Sequence, residues 1–461
     1  MRSIVRARRF LWCLLPLLAA CSGGSHTPIP GNGEAAPTAA PTTPATAFPV
    51  QSGDVDDWTT FAHDSARTGF EAQTTGITTS TVSTLALRWS YQYGEPVVAS
   101  PLVANGLVYL AGTSGTVRAL SVTDGSVVWQ TSLGAEIRMT PALDSGMLFV
   151  GTHVPPGMLE ALDAGTGAVR WTASVPGGIR GEPVIVNGTV YIGDASGDPP
   201  TCNHAGLHAF DELTGTQTLT WYDDPKPADG GAVWNPISTD GEALYFGTGN
   251  TCSPGVTYAN AAVKLSTTGS LLWGHNSAAA LSDDDFGGAL TILGSNAIGI
   301  DKNGLLYAFD RASGTIVWSD QLGHLDGYGG IASPGTDGLT LVVGGGYIND
   351  PTKTAGNPGG LLYGVTREGK IVWKVQTDSA VQGNASVVPG VAFVSMNDGL
   401  FALSLATGAT LWSYPFGAGS YASPAVVPSG VYVGDTAGRV YAFGLPSSAS
   451  ASRRAANSRG R

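Results

Sequence analysis

The 461-residue chain is 43% hydrophobic, carries 65 glycines and only 13% charged residues, and has a formal net charge of −12. That composition suits a turn-rich all-β protein with ample length for a core. It argues against nucleic-acid binding, because an acidic chain without basic runs in its body lacks the electrostatic footprint.

Residues 1–20 read as an export signal. Arg2, Arg6, Arg8 and Arg9 form a positive stretch, and Phe10 to Leu18 an apolar one. They end Leu18-Ala19-Ala20-Cys21, which resembles a bacterial lipobox. The resemblance implies lipidation of Cys21, and Ser22 after it resembles outer-membrane sorting in Gram-negative bacteria. The alternative is an ordinary signal peptide with an incidental cysteine. Removal of the four arginines leaves a mature charge of about −16. No other apolar run is long enough to span a bilayer. The expected location is the cell envelope, facing the periplasm, with the lipid as the only membrane attachment. Residues 21–57 are rich in Ser, Thr, Pro, Ala and Gly and cannot bury enough apolar surface to order themselves; they read as a tether.

From residue 58 to 446 one unit recurs. Its clearest copy is Ile298 to Gly323, with three apolar stretches separated by Asp301-Lys302-Asn303-Gly304 and Ser313-Gly314. Alternating apolar residues between Gly-rich turns predict antiparallel strands, and a recurring period predicts a repeat architecture. Gly-x-x-x-Trp appears at Gly125/Trp129, Gly167/Trp171, Gly269/Trp273, Gly314/Trp318, Gly369/Trp373 and Gly408/Trp412. Gly215/Trp221 reads as the same unit with two extra residues. The preceding strand recurs eight times and ends at Val440 to Phe443 with no Gly-x-x-x-Trp after it, whereas Leu85 to Trp89 supplies that strand at the other end. The prediction is an all-β fold, an eight-bladed β-propeller of four-stranded antiparallel blades of about 45 residues each. Its last blade is closed by the N-terminal strand Leu85–Trp89, which removes the open sheet edges. Residues 58–84 form a lead-in, and 447–461 a disordered basic tail.

The Thr/Ser-Gly-x-x-x-Trp ending and the lead-in Trp58-x-x-Phe61-x-x-Asp64-x-x-Arg67 resemble the repeats of PQQ-type quinoprotein dehydrogenases. The same repeat family includes BamB-like lipoproteins that assist outer-membrane protein assembly. With strands A to D counted from the axis outward, the D–A connections and B–C turns share one face. Trp234 falls in the connection into blade 4, Asn250 in the B–C turn of blade 4, Asp283-Asp284-Asp285 in the connection into blade 5, and Lys302 in the B–C turn of blade 5. All lie on that face of two adjacent blades. The resemblance implies a role for each: Trp234 stacks on the planar cofactor, Asn250 ligates Ca2+, Asp285 is the catalytic base, and Lys302 bonds the quinone oxygens. A quinone needs an aromatic platform, a Lewis acid and a cation to become electrophilic, and an alcohol needs a carboxylate base. Singly, each residue also reads as a turn or core residue.

The chain departs from those dehydrogenases in several ways. It lacks a vicinal Cys pair and any Cys-x-x-Cys-His haem motif, so a reduced quinone needs a separate electron acceptor. Asp198 and Asp194 are the candidates for the acidic Ca2+ ligand, with Glu182 a further acid on the face. Cys202 and Cys252 are expected to form a disulfide in an oxidising compartment, two separate thiols being the alternative. Cys202 with His204 and His208 matches no common metal spacing. The leading expectation is a PQQ- and Ca2+-dependent alcohol dehydrogenase acting on a small alcohol. The alternative is a non-catalytic BamB-like scaffold for envelope protein partners.

Overall fold

The computed structural model describes residues 57–195, 206–222, 232–250, 256–277, 284–322, 331–347, 359–379, 381 and 383–446. Cys21, the tether up to residue 56, the basic tail, Asp198, Cys202, Cys252, His204 and Asp283 lie outside them; Asp57, read as the tether's last residue, begins the first strand. Among the described residues, no helix is long and apolar enough to cross a membrane. Their strands group into eight antiparallel sheets, the four main strands running outward in chain order in all but the last blade. In blade 1 these are Leu102–Ala104, Leu107–Ala111, Thr116–Ser121 and Val127–Ser132. The second strand Leu107–Ala111 is almost wholly buried, the third, Thr116–Ser121, is buried at half its positions, and the outer strand Val127–Ser132 is mostly exposed apart from Trp129. This is what a sheet packed on both faces and edged by solvent requires.

The eight-bladed prediction holds. Blade 8 comprises Ala425–Val427, Gly430–Gly434 and Arg439–Gly444, and its outer strand is Ala86–Gln92, paired antiparallel to Arg439–Gly444 with Leu87 opposite Phe443. Two blades gain a fifth short strand: Asp57–Trp58 pairs with Val103 and Ala104 of blade 1, and Gly178–Ile179 pairs with Asp194 and Ala195 of blade 3.

The repeat's tryptophans join the blades. Most dock against the next blade and donate the Nε1 proton to a carbonyl just past that blade's third strand: Trp89 to Val122 at 3.0 Å, Trp129 to Ala164 at 2.9 Å, Trp171 to Glu212 at 2.9 Å, Trp373 to Leu405 at 2.8 Å; Trp412 donates instead to Leu85 O at 3.2 Å, at the closure. The ring carries buried apolar area and the N–H finds an acceptor, so the plug leaves no polar group orphaned. A one-residue bulge precedes each docking position, as between Ala119/Leu120 and Ala308/Phe309, turning two successive side chains outward.

Blade 3 corrects one reading. Leu219 stands opposite Ala209, where Trp129 stands opposite Ala119. Gly269 of blade 4 packs on Leu219, as Gly167 packs on Trp129. The unit is therefore Gly215-x-x-x-Leu219 with no insertion. Trp221, two residues on, instead meets Phe246 edge-on at 5.5 Å.

The lead-in crosses the inner strands at the A–B end. Trp58 pairs with Val103 of blade 1, and Leu143 of blade 2 donates its N–H to Thr59 O. Thr239, Ile292 and Thr336 of blades 4, 5 and 6 donate theirs to Ser65, Ala66 and Thr68, and Val387 of blade 7 to Gly69. Arg67 is fully buried and donates to Ile237 O at 2.8 Å, Phe61 O at 2.8 Å and Pro183 O at 3.0 Å. The lead-in carrying the family-like Trp58, Phe61 and Arg67 thus ties the first strands of blades 1, 2, 4, 5, 6 and 7 together.

Candidate cofactor site

The connection into blade 4 sets Trp234. Val233 N–H donates to Asp194 O of blade 3, and Gly249 N–H to Ala232 O, so the backbone is tied on both sides. The indole lies against the blade 4 B–C turn, where a Cβ at Gly249 would sit 2.9 Å from Trp234 Cδ1. Only glycine permits this approach. Asn250 follows it directly and is half-buried.

The connection into blade 5 sets Asp285, which is 2% exposed. Phe286 bridges to Asp301, and Lys302 N–H donates to Asp285 O at 3.0 Å. Three of the predicted residues meet here. Trp234 Nε1 donates to Asp285 Oδ2 at 2.5 Å, Lys302 Nζ reaches Asp285 Oδ1 at 2.7 Å, and the same ammonium lies 4.8 Å from the Trp234 ring centroid. A buried carboxylate thus has a cation and an indole N–H, and the cation rests over the ring.

The acidic Ca2+ ligand has a different outcome. Asp194 is fully buried, and its oxygens accept Gly177 N–H at 2.8 Å and Gly206 N–H at 2.6 Å, with His208 Nε2 3.2 Å away. Asp301 and Asp435 occupy the same position in blades 5 and 8, accepting Leu305 and Arg439 N–H at 3.0 and 2.8 Å and the hydroxyls of Tyr307 and Tyr441. Asp194 therefore caps the turn, with His208 in the tyrosine's place. Among the described residues no group of three or more His, Cys, Asp or Glu could hold a metal.

A further feature went unread in the sequence. Each D–A connection presents one residue at the same position, usually before proline. Ser100 N–H donates to Thr140 Oγ1 at 3.0 Å, Ser333 to Asn384 Oδ1 at 2.8 Å, Asn384 to Ser423 Oγ at 2.9 Å, and Ser423 to Ser100 Oγ at 2.8 Å. The result is a side-chain belt around the axis. Its blade 4 member, Asn235, instead turns Nδ2 to the carbonyls of Phe286 and Gly288, both at 3.2 Å, and so anchors the segment carrying Asp285. Its blade 3 member is Glu182, whose carboxyl is pushed up to about 7 by burial, against the backbone N–H groups of Glu182 and Thr140 and the charge of Arg67. The recurring Ser-Pro, Thr-Pro, Glu-Pro and Asn-Pro pairs were the available signal.

The sequence model of the family described as "Outer membrane protein assembly factor BamB" matches residues 70–139, 113–292 and 302–455. No curated protein sequence matches the chain. Among solved structures, the quinohemoprotein alcohol dehydrogenase from Comamonas testosteroni superposes with a TM-score of 0.72 at 21% identity, over 85% of this chain and 80% of that one. A europium-containing methanol dehydrogenase superposes with a TM-score of 0.70 at 18% identity, over 86% and 99%. At these identities the likeness is one of fold.

Proposed function

Because the chain belongs to the PQQ-type repeat family whose matching model is described as outer membrane protein assembly factor BamB, we propose that its D–A face binds a PQQ-class quinone beside Ca2+ and oxidises a small alcohol. The convergence of Trp234, Asp285 and Lys302 carries this reading. The residues fit the group chemically. A half-buried indole offers a platform, the Lys302 ammonium suits quinone oxygens and carboxylates, and Asn250 with Asp198 supplies the hard oxygen donors that Ca2+ takes.

When bound, the quinone supplies an electrophilic carbon that accepts hydride. The protein's part is to position and to move the proton. Trp234 Nε1 and Lys302 Nζ hold the two oxygens of Asp285 from different sides, which fixes the carboxylate plane. Each oxygen has a second lone pair, and one of these takes the alcohol's hydroxyl proton as the carbinol hydrogen departs as hydride, leaving a carbonyl product. Asn235 keeps the segment bearing Asp285 in place. As the sequence carries no Cys-x-x-Cys-His haem motif, the electrons would leave to a separate acceptor.

The test is a titration of the purified protein with PQQ and Ca2+, followed by quinone absorbance and melting temperature. Saturable binding that Trp234→Ala abolishes, with turnover lost but binding kept in Asp285→Asn, supports the reading. Absence of binding overturns it. The second reading, an envelope scaffold for protein partners, is favoured by one observation: Leu271-Leu272, Ile316-Val317 and Ile371-Val372 lie exposed on the outer strands of three consecutive blades.

A further inference from the structure

The repeat allows one blade junction to be read against another. At the junction of blades 4 and 5, Asp240 leaves the first strand of blade 4 and Arg311 follows the third strand of blade 5. Arg311 forms a salt bridge with Asp240, and also donates to Gly294 O at 2.7 Å and to the Tyr245 hydroxyl at 3.3 Å. The corresponding positions at the junction of blades 2 and 3 are Asp144 and Glu212. The register fixes this equivalence. Ala142 faces Phe149 as Ser238 faces Tyr245, two residues before the aspartate in each case. The docking tryptophans agree: Trp171 Nε1 donates to Glu212 O at 2.9 Å, and Trp273 Nε1 to Arg311 O at 3.1 Å.

The aspartate is thus kept while its arginine has become a glutamate. Glu212 is 4% exposed, and its Oε1 is buried and accepts no hydrogen bond among the described residues. The Asp144 carboxyl lies within hydrogen-bonding reach of it. The groups facing the pair are the Ser145 hydroxyl, which also donates to Asp144 Oδ2 at 2.7 Å, and the further acid Asp211. Burial first, and then Asp144, raise the Glu212 carboxyl above its ordinary range. Two touching carboxylates, one buried, do not both stay ionised unless a cation lies between them; otherwise they share a proton. At the homologous junction the protein supplies that charge from its own chain.

We propose that a divalent cation of the Ca2+ class bridges Asp144 and Glu212 and ties blade 2 to blade 3. The donors are hard oxygens at the protein's rim, with Asp144 exposed, so water completes the shell, as is usual for weak extracellular Ca2+ sites. The site lies on the A–B and C–D turn face, opposite the D–A connections, and does not depend on the quinone reading.

Terbium tests it, because Trp171 donates to the Glu212 backbone and its indole stands beside the site. Excitation of the full-length protein should give sensitised Tb3+ emission that Ca2+ displaces, and Ca2+ should raise the melting temperature. Measured in the Asn250→Ala background, which removes the Ca2+ ligand proposed on the opposite face, Asp144→Asn and Glu212→Arg should each abolish both effects. Glu212→Arg restores the pair found at blades 4 and 5, so it should melt at least as high as the wild type without Ca2+. Emission and Ca2+ stabilisation that survive Glu212→Arg in that background overturn the proposal. So does wild-type protein without sensitised emission, whose acidic pair then holds a shared proton.

Discussion

Lys302 and Asp285 meet twice: the lysine's backbone N–H donates to the aspartate's carbonyl at 3.0 Å, and its Nζ reaches Oδ1 at 2.7 Å. The backbone contact fixes the turn, and the side-chain contact balances a carboxylate that is 2% exposed. Lys302→Met keeps the first and removes the second. It should cost about 3 kcal/mol, because a buried charge loses its partner. Adding Asp285→Asn should recover most of that loss, and denaturant unfolding of both single variants and the double variant measures the coupling.

Glu182 should give the protein a pH-dependent stability that no other belt residue described here provides. Its folded carboxyl titrates at about 7 against an ordinary 4.5. The folded state therefore binds the proton more tightly than the unfolded chain. Stability is greatest below about 4.5, falls as pH rises to about 7, and is flat beyond, by about 3 kcal/mol in all. Glu182→Gln should remove this slope in unfolding curves between pH 4.5 and 7.5.

His63, in the lead-in, should act in a higher window. Burial lowers its affinity for the proton, but Asp64 and Glu71 outweigh it and raise the ring to about 9. Its carboxylate partners lie 3.8 and 3.6 Å away. As a cation whose folded pKa exceeds 6.5, it stabilises fully below that value and loses the contribution as pH rises through about 9. His63→Gln should flatten the unfolding free energy between pH 6.5 and 9.5.

Two glycines separate backbone strain from packing. Gly167 has φ +73° and Gly146 φ +76°, so alanine strains both backbones alike. A Cβ at Gly167 would sit 2.4 Å from Trp129 Cε3, whereas nothing lies within 4 Å of one at Gly146. Gly146→Ala should cost about 1 kcal/mol. Gly167→Ala should cost clearly more, read as a larger drop in melting temperature, because the docking tryptophan must move.

Much of this was legible because the repeat writes each blade junction in local code. Gly125/Trp129 and its copies placed the blades, and the orphan strand at Leu85 placed the closure. The face shared by Trp234, Asp285 and Lys302 followed from blade counting alone. What escaped depends on contacts across blades. Trp221 drew the eye in blade 3 because a tryptophan is conspicuous, yet register puts Leu219 in the dock. That Asp194 caps its turn depends on the N–H groups of Gly177 and Gly206, which lie 17 and 12 residues away. Arg67 reaches Ile237 and Pro183, more than a hundred residues away, and no local pattern announces such partners.

The pairing of Ala86–Gln92 with Arg439–Gly444 has a consequence for how the molecule is made. The first blade strand synthesised must wait for the last, and the lead-in must wait for blades 4 to 7 before its carbonyls find their donors. Contacts so distant in sequence carry a large loop-closure cost and slow the final step of folding. Until the ring shuts, the outer edge of Arg439–Gly444 is an unpaired template for another chain. The vulnerable species is therefore the nearly finished chain, and protection against aggregation matters most in the interval before its two ends meet.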